Sequence, residues 1–80
     1  MAKYNGHKNW NHWNVSLWIN NDEGLYHLAR NYVLTCKHRG YTKDIAAVAI
    51  IKHLFENGVT HTPDGAPYSK SAVRAALVGM

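Results

Sequence analysis

The feature that most restricts the fold of this chain is an apolar stripe between Leu25 and Cys36. Its members follow the i, i+3, i+4, i+7, i+8, i+11 spacing of one helix face: Leu25, Leu28, Ala29, Tyr32, Val33 and Cys36. The stripe extends along one face through about three helical turns and needs a partner surface to cover it. We therefore predict a helix from about residue 22 to residue 38 that packs against other helices.

Charges and capping residues mark both ends of this helix. Asn20 or Asn21 is a candidate N-cap, and the acidic pair Asp22 and Glu23 then stands in the first turn, where the helix dipole favours negative charge. At the other end the cations of residues 37–39 precede Gly40, a residue that readily takes the left-handed conformation of a helix stop.

Three further segments have helical patterns. The first runs from about Asn11 to Asn20, with Trp13, Leu17 and either Trp10 or Asn20 on the predicted core side and with Asn14 and Trp18 adjoining. The second begins after Thr42 as N-cap, ends before Gly58 and is apolar around most of its circumference, which is typical of a central helix. The last is short and is capped by one of the serines at positions 69 and 71.

Length and composition limit the chain to one small domain, and the helical patterns predict that it is all-α with three or four helices. It has 80 residues, of which 46% are hydrophobic and 18% charged, so it is too apolar for disorder and too short for two cores. Residues 59–68 contain Pro63, Asp64, Gly65 and Pro67, a turn composition that also allows a short β-hairpin. A domain of this size has little stability to spare, and a homodimer could supply part of its apolar burial.

The three tryptophans permit three interpretations. Trp13 and Trp18, with Leu17, suit a small core because buried indoles contribute large apolar areas. Trp10 suits an exposed contact with a partner protein, since tryptophan is enriched among interface hot spots. Stacking on nucleic-acid bases would need interleaved cations, and only Lys8 is near.

Positive charge is concentrated around one predicted helix end. The net charge is +4, and Lys37, Arg39 and Lys43 cluster within seven residues of sequence. Such a cluster could grip phosphates or an acidic protein surface. It could equally be charge placed at a helix C-terminus for stability, which needs no partner.

Catalytic, metal and cofactor sites have little support in the sequence. The six histidines form no i, i+4 pair and have no cysteine or carboxylate at ligand spacing, so we predict no metal and no cofactor. Cys36 lies on the apolar stripe, where a structural thiol is expected, and a lone cysteine makes no intrachain disulfide. We predict that the protein is not an enzyme.

The cellular location is also predicted from the pattern. The first ten residues lack the apolar segment of a signal peptide. The longest apolar run, residues 45–51, is far shorter than the roughly 20 residues that span a bilayer. The sequence predicts a protein of the host-cell cytoplasm without membrane contact.

The segment from Asn9 to Tyr26 resembles a family of small, mostly uncharacterised proteins of bacteriophages and mobile elements that share the motif N-x-x-T-W-N-V-x-L-W-x-x-N-D-E-G-L-Y. His12 stands where the motif has threonine. The matching residues are Trp13, Asn14, Val15, Leu17, Trp18, Asn21, Asp22, Glu23, Gly24, Leu25 and Tyr26. The resemblance covers roughly the first third of the chain and implies a phage or mobile-element accessory protein.

That context implies an inhibitor of host defence, most concretely an anti-CRISPR protein that binds a CRISPR effector complex, on protein or on guide RNA, and blocks its access to DNA. The inhibitor would act by stoichiometric binding. Its predicted contact surface combines cations with exposed aromatic side chains: Trp10, Arg30, Lys37, Arg39, Tyr41 and Lys43.

Two alternatives stay open. A small nucleic-acid-binding regulator would use Lys70 and Arg74 together with the 37–43 cluster on phosphates. A helix-turn-helix is disfavoured, since the connection before the last helix is about ten residues long where that motif uses three or four. A structural protein of the virion is the third interpretation, and it would self-associate.

Overall fold

The computed structural model describes residues 7–80, which form four α-helices and no strand. The bounds are α1 Trp10–Asn21, α2 Glu23–His38, α3 Lys43–Glu56 and α4 Lys70–Ala76. This confirms the all-α prediction. The prediction that the first ten residues are not a signal peptide falls partly on residues 1–6, which lie outside the described residues.

The connection between α3 and α4 folds back on itself but does not form a hairpin of strands. It has one isolated antiparallel bridge, His61 with Pro67. The backbone closes a turn where Gly65 N–H donates to the Thr62 carbonyl at 2.9 Å, and Tyr68 N–H donates to the Thr60 carbonyl at 3.1 Å. Proline at 63 and 67 removes backbone donors, which keeps the pairing this short.

Each helix starts with a side-chain cap, and one predicted cap was wrong. Thr42 and Ser69 accept from Ile45 N–H and Ala72 N–H as predicted. The cap of α2 is Asp22, which accepts from Leu25 N–H at 2.9 Å, rather than Asn20 or Asn21. Both asparagines are the last two residues of α1, and their side-chain amides donate to the carbonyls of Ser16 and Leu17, four residues earlier.

Helices α2 and α3 end just before glycines, as predicted from the sequence. Gly40 and Gly58 have φ of 78° and 77°, in the left-handed region. The next residue in each case donates back to the helix: Tyr41 N–H to the Cys36 carbonyl at 2.7 Å, and Val59 N–H to the Leu54 carbonyl at 2.8 Å. These bonds turn the chain sharply, and the first of them sets the geometry of the surface described below.

Two glycine-to-alanine changes should alter the free energy of unfolding in opposite directions. Gly58→Ala places a Cβ in open space but keeps φ at 77°, so we expect a loss of about 1–2 kcal/mol in unfolding free energy from backbone strain alone. Gly24→Ala, in the first turn of α2, meets only the Asp22 side chain at 3.4 Å and should gain about 0.4–1 kcal/mol. Urea unfolding of both variants measures this, and losses of equal size would contradict it.

The predicted core faces of α2 and α4 are confirmed. Ala29, Val33 and Cys36 are buried on α2, and Leu25, Leu28 and Tyr32 pack against them half-buried. On α4 the buried side chains are Ala72, Val73 and Ala76, with Leu77 at its C-cap. These apolar stripes and those of α1 and α3 meet in a single cluster.

The predicted core face of α1 was wrong. Its buried residues are Asn14, Val15 and Ile19, whereas Leu17 is 37% exposed and Trp13 and Trp18 are only half-buried. Helix α1 packs on α4 and on the 59–68 connection partly through polar side chains, so its buried face is not its most apolar one. None of the three tryptophans is therefore among the buried core residues.

The prediction that α3 is a central helix was also wrong. Its buried residues are Ala46, Ala47, Ile50 and Leu54, which face α2 and α4. On the other side Ile45, Val48 and Phe55 are exposed, Phe55 by 68%. Helix α1 does not pack on α3, so within residues 7–80 nothing covers this second apolar face.

Candidate binding surfaces

A concave surface forms where α2 ends and α3 begins. It encloses about 290 Å³, and we call it the basic groove; it is lined by Val33, Cys36, Lys37, Tyr41, Thr42, Lys43 and Met80. Val33 and Cys36 are buried and form the floor with the half-buried Met80. Lys37 and Lys43 stand at the two helix ends, and Tyr41, 51% exposed, lies on the turn between them.

Local chain geometry builds this groove. The left-handed Gly40 and the bond from Tyr41 N–H to the Cys36 carbonyl reverse the chain directly after α2. Thr42 then caps α3, which puts Lys43 at its first helical position. Three predicted contact residues, Lys37, Tyr41 and Lys43, are thereby brought around one depression.

The lysines of the groove have no carboxylate partner in the part of the chain that the structure describes. Arg74 forms an ion pair there with Asp44, at 3.0 Å, and His27 forms one with Glu23, at 3.9 Å, only when its imidazole is protonated. Asp44 follows Lys43 directly, yet its Oδ1 accepts from Arg74 Nε of α4. The nearest acidic side chain in sequence is thus already engaged by another cation.

The other two predicted cations, Arg30 and Arg39, do not line the groove. Arg39 is the exposed C-cap of α2. Arg30 lies about 10 Å back along α2 from Lys37, given the rise of a helix, and its Nη1 donates to the Tyr26 hydroxyl at 3.3 Å. Leu34, 48% exposed, lies between Arg30 and Lys37 on the same helix face. Arg30 therefore belongs to an adjoining stripe of α2.

Trp10 lies at a different part of the molecule. It opens α1, and the next residue, Asn11, donates from its amide to the Pro67 carbonyl just before α4. Met80 of the groove follows the far end of α4. The fold therefore does not bring Trp10 to the groove, and the predicted contact set divides into two surfaces.

The two residues predicted for phosphate contact also differ in their surroundings. Lys70 is exposed at the start of α4, beside Ile45, Val48 and Ala49 of α3. Arg74 is held by Asp44, so its charge is offset. Only Lys70 of this pair lacks an ion partner within residues 7–80.

A polar hub joins α1 to the 59–68 connection, and we missed it in the sequence. We define it as Asn14, Trp18, Thr62 and Asp64. Asn14 Nδ2 and Trp18 Nε1 each donate to Asp64 Oδ2 at 2.9 Å, and the Thr62 hydroxyl donates to Asn14 Oδ1 at 2.6 Å. Asn14 and Thr62 are buried, so each of these groups depends on its partners. The i, i+4 spacing of Asn14 and Trp18 was the signal for a shared face.

The hub lowers the pKa of the Asp64 carboxyl through the hydrogen bonds from Asn14 and Trp18, because both donors favour the charged form. A carboxyl whose pKa is lower in the folded state stabilises the fold above its unfolded pKa of about 3.9, and that contribution is lost as pH falls through the folded value.

We therefore expect Asp64→Asn to weaken the fold at neutral pH and to matter less as pH falls below about 4. The asparagine carbonyl still accepts from both donors, but the charge is gone. Denaturant unfolding of the parent and the variant between neutral and strongly acidic pH measures the difference. A difference that stays constant with pH would show that the Asp64 charge does not contribute.

Further polar contacts hold α1 to the C-terminal part of the chain. The Ser71 hydroxyl and His12 Nε2 are 2.9 Å apart, and the Asn20 amide donates to the Ala76 carbonyl at 3.4 Å. Partial burial lowers the pKa of His12, with smaller contributions from Lys8 and His7. Within residues 7–80 no carboxylate hydrogen-bonds to His12, so this serine–histidine pair lacks the third member of a catalytic triad.

Metal ligands do not gather in the described part of the chain. Residues 7–80 contain no group of three or more histidine, cysteine, aspartate or glutamate side chains that could hold an ion. In the same residues no helix has the length and apolar character needed to cross a membrane.

The fold and its surfaces define a small four-helix protein with a basic groove at one helix junction and a polar hub that fixes α1. The chain belongs to DUF7249, a family of unknown function whose model matches residues 1–79. No curated protein and no solved structure matches it.

Proposed function

We propose that this protein is a non-enzymatic inhibitor of host defence, encoded by a phage or mobile element, that acts in the host cytoplasm by stoichiometric binding of a partner protein. Its most concrete target is a CRISPR effector complex, whose access to DNA it blocks. The contact surface is the basic groove with Arg39 and the adjoining Arg30 stripe of α2. The resemblance of the 9–26 segment supplies the biological context, and the groove supplies the means of binding.

The position of Lys43 at the start of α3 is the observation that most supports the proposal. Helix stability explains Lys37 and Arg39, since cations are favourable at a helix C-terminus. It does not explain Lys43, which is in the first turn of α3, where the dipole disfavours positive charge. Lys43 also faces the same groove as Lys37 and has no carboxylate partner in residues 7–80. A carboxylate of an acidic partner would offset the unfavourable interaction of Lys43 with the helix dipole and would give Lys43 an ion partner.

The groove supports binding rather than the enclosure of a cofactor. Pockets that bury small ligands measure about 300–1,000 Å³, and this open groove, at about 290 Å³, is just below that range. Its cations stand at the rim with an exposed tyrosine, a residue type enriched at interfaces. Blocking DNA access by a protein of this size needs only that the occupied face overlaps the target's DNA path.

Affinity capture tests the proposal. The tagged protein is incubated with bacterial lysate containing an active CRISPR system, with and without nuclease, and co-purifying material is identified and quantified. We expect a partner of fixed stoichiometry that survives nuclease. If only nucleic acid is recovered, and it is lost on nuclease treatment, the nucleic-acid-binding regulator replaces this proposal. Its affinity for nucleic acid should then fall log-linearly with salt concentration. An untagged copy of the protein is added to the lysate as well, and its recovery with the tagged copy would favour self-assembly.

A further inference from the structure

We infer, on the basis of the proposed function, that the basic groove recognises an acidic peptide segment in which one large apolar side chain stands between carboxylates. The rim and the floor of the groove require different chemistry from the same occupant. Lys37 and Lys43 provide positive charge on two sides, whereas the floor of Val33, Cys36 and Met80 is apolar.

The floor argues against a simple anion as occupant. A phosphate or a run of carboxylates would satisfy the two ammonium groups but would make no apolar contact with Met80, the half-buried member of a floor whose other residues, Val33 and Cys36, are already buried. A large apolar side chain between the carboxylates covers the floor, and the hydrocarbon stems of the lysines extend its walls. The occupant therefore combines an apolar anchor with flanking negative charge.

The size of the groove limits the anchor to one side chain. About 290 Å³ of open space accommodates a phenylalanine or leucine with its backbone but not a folded element. A buried aromatic side chain removes about 150–250 Å² from water, enough to act as the centre of an interface. Tyr41 and Thr42 add side-chain hydroxyls at the rim that can contact the peptide backbone.

The charge environment permits this occupant. The carboxylate beside the groove, Asp44, is held by Arg74 of α4 and so does not neutralise Lys43. Arg39 adds a further exposed cation on the turn. Within the described residues no acidic side chain lines the groove, so a partner carboxylate meets no like charge there.

Fluorescence anisotropy with short labelled peptides tests the inference on the whole protein. Three peptides are compared: an acidic peptide with a central phenylalanine, the same peptide with alanine at the centre, and a basic peptide with the phenylalanine. We expect the first to bind, the second to bind about tenfold or more weakly because the anchor's apolar burial is lost, and the third not to bind. Lys43→Gln should weaken the first peptide, and Lys52→Gln on the distal part of α3 is the matched control.

A second readout locates the binding. The chain has two methionines, so the methyl signal of Met80 is readily assigned with a Met80→Leu variant. The acidic phenylalanine peptide should shift the Met80 methyl resonance, and the alanine peptide should shift it less. A shift would show contact with the floor independently of affinity.

Three outcomes would overturn the inference: equal binding of the alanine peptide, tighter binding of single-stranded DNA of equal charge, or no binding of any peptide. In the last case, capture of a partner that is still lost on Lys43→Glu would leave the proposed function standing. Peptide binding without any captured partner would instead support the inference and count against the choice of target.

Discussion

Asn14→Asp is expected to unfold most of the protein at neutral pH and to recover as the solution is acidified. The new carboxylate would stand 2.9 Å from Asp64 Oδ2, where the Asn14 amide now donates, at a position that is only 2% exposed. An uncompensated charge at a buried position costs about 3–5 kcal/mol, a large part of the stability of an 80-residue domain. Circular dichroism and urea unfolding across pH measure the effect.

The pH dependence follows from the sign of the pKa change. Repulsion from Asp64 raises the folded-state pKa of the new carboxyl above its unfolded value of about 3.9. The variant therefore regains stability as pH falls through that raised pKa, whereas the parent loses the Asp64 contribution in acid.

Two further variants isolate the interaction. Asn31→Asp makes the same change at an exposed position of α2 and should have little effect. The double change Asn14→Asp with Asp64→Asn restores one donor between the two side chains and should recover a large part of the loss. A fully folded Asn14→Asp protein at neutral pH would show that the hub does not hold α1.

Reversing the charges of Lys37, Arg39 and Lys43 to glutamate is expected to abolish partner binding and inhibition while the fold persists. Lys37 and Arg39 are exposed and Lys43 is half-buried, and none of the three is in an ion pair within residues 7–80. If an acidic surface is the partner, each reversal replaces an attraction by a repulsion, and such like-charge contacts cost several kcal/mol. Inhibition assays and the capture experiment measure the loss.

Lys43→Glu alone separates binding from stability. Negative charge in the first turn of α3 favours the helix, so the variant should gain about 0.3–1 kcal/mol in unfolding free energy while it binds less well. Lys52→Glu, also on α3, is the matched control for binding. If inhibition survives the triple reversal, the basic groove is not the contact surface.

The candidate site was predictable to the extent that its residues are close in sequence. Lys37, Tyr41 and Lys43 lie on either side of a glycine stop and a threonine cap, so a pattern search finds them together. Met80 and the engagement of Asp44 by Arg74 were not predictable, since they depend on how α4 returns to the start of α3. Trp10 was grouped with the cluster by residue type, and the fold separates them.

The helices, the Thr42 cap and the glycine stops were predictable from local sequence, and the α4 cap was narrowed to Ser69 or Ser71, because these features depend on hydrogen bonds within a few residues. The buried sides of α1 and α3, by contrast, depend on contacts between helices and could not be predicted from local patterns. A helix with apolar residues on several sides packs by the face its neighbours can match, and for α1 that match comes from Thr62 and Asp64, about 50 residues away in the chain. Those hydrogen bonds turn Asn14 inward and leave the tryptophans half-exposed, a result that hydrophobicity alone would reverse.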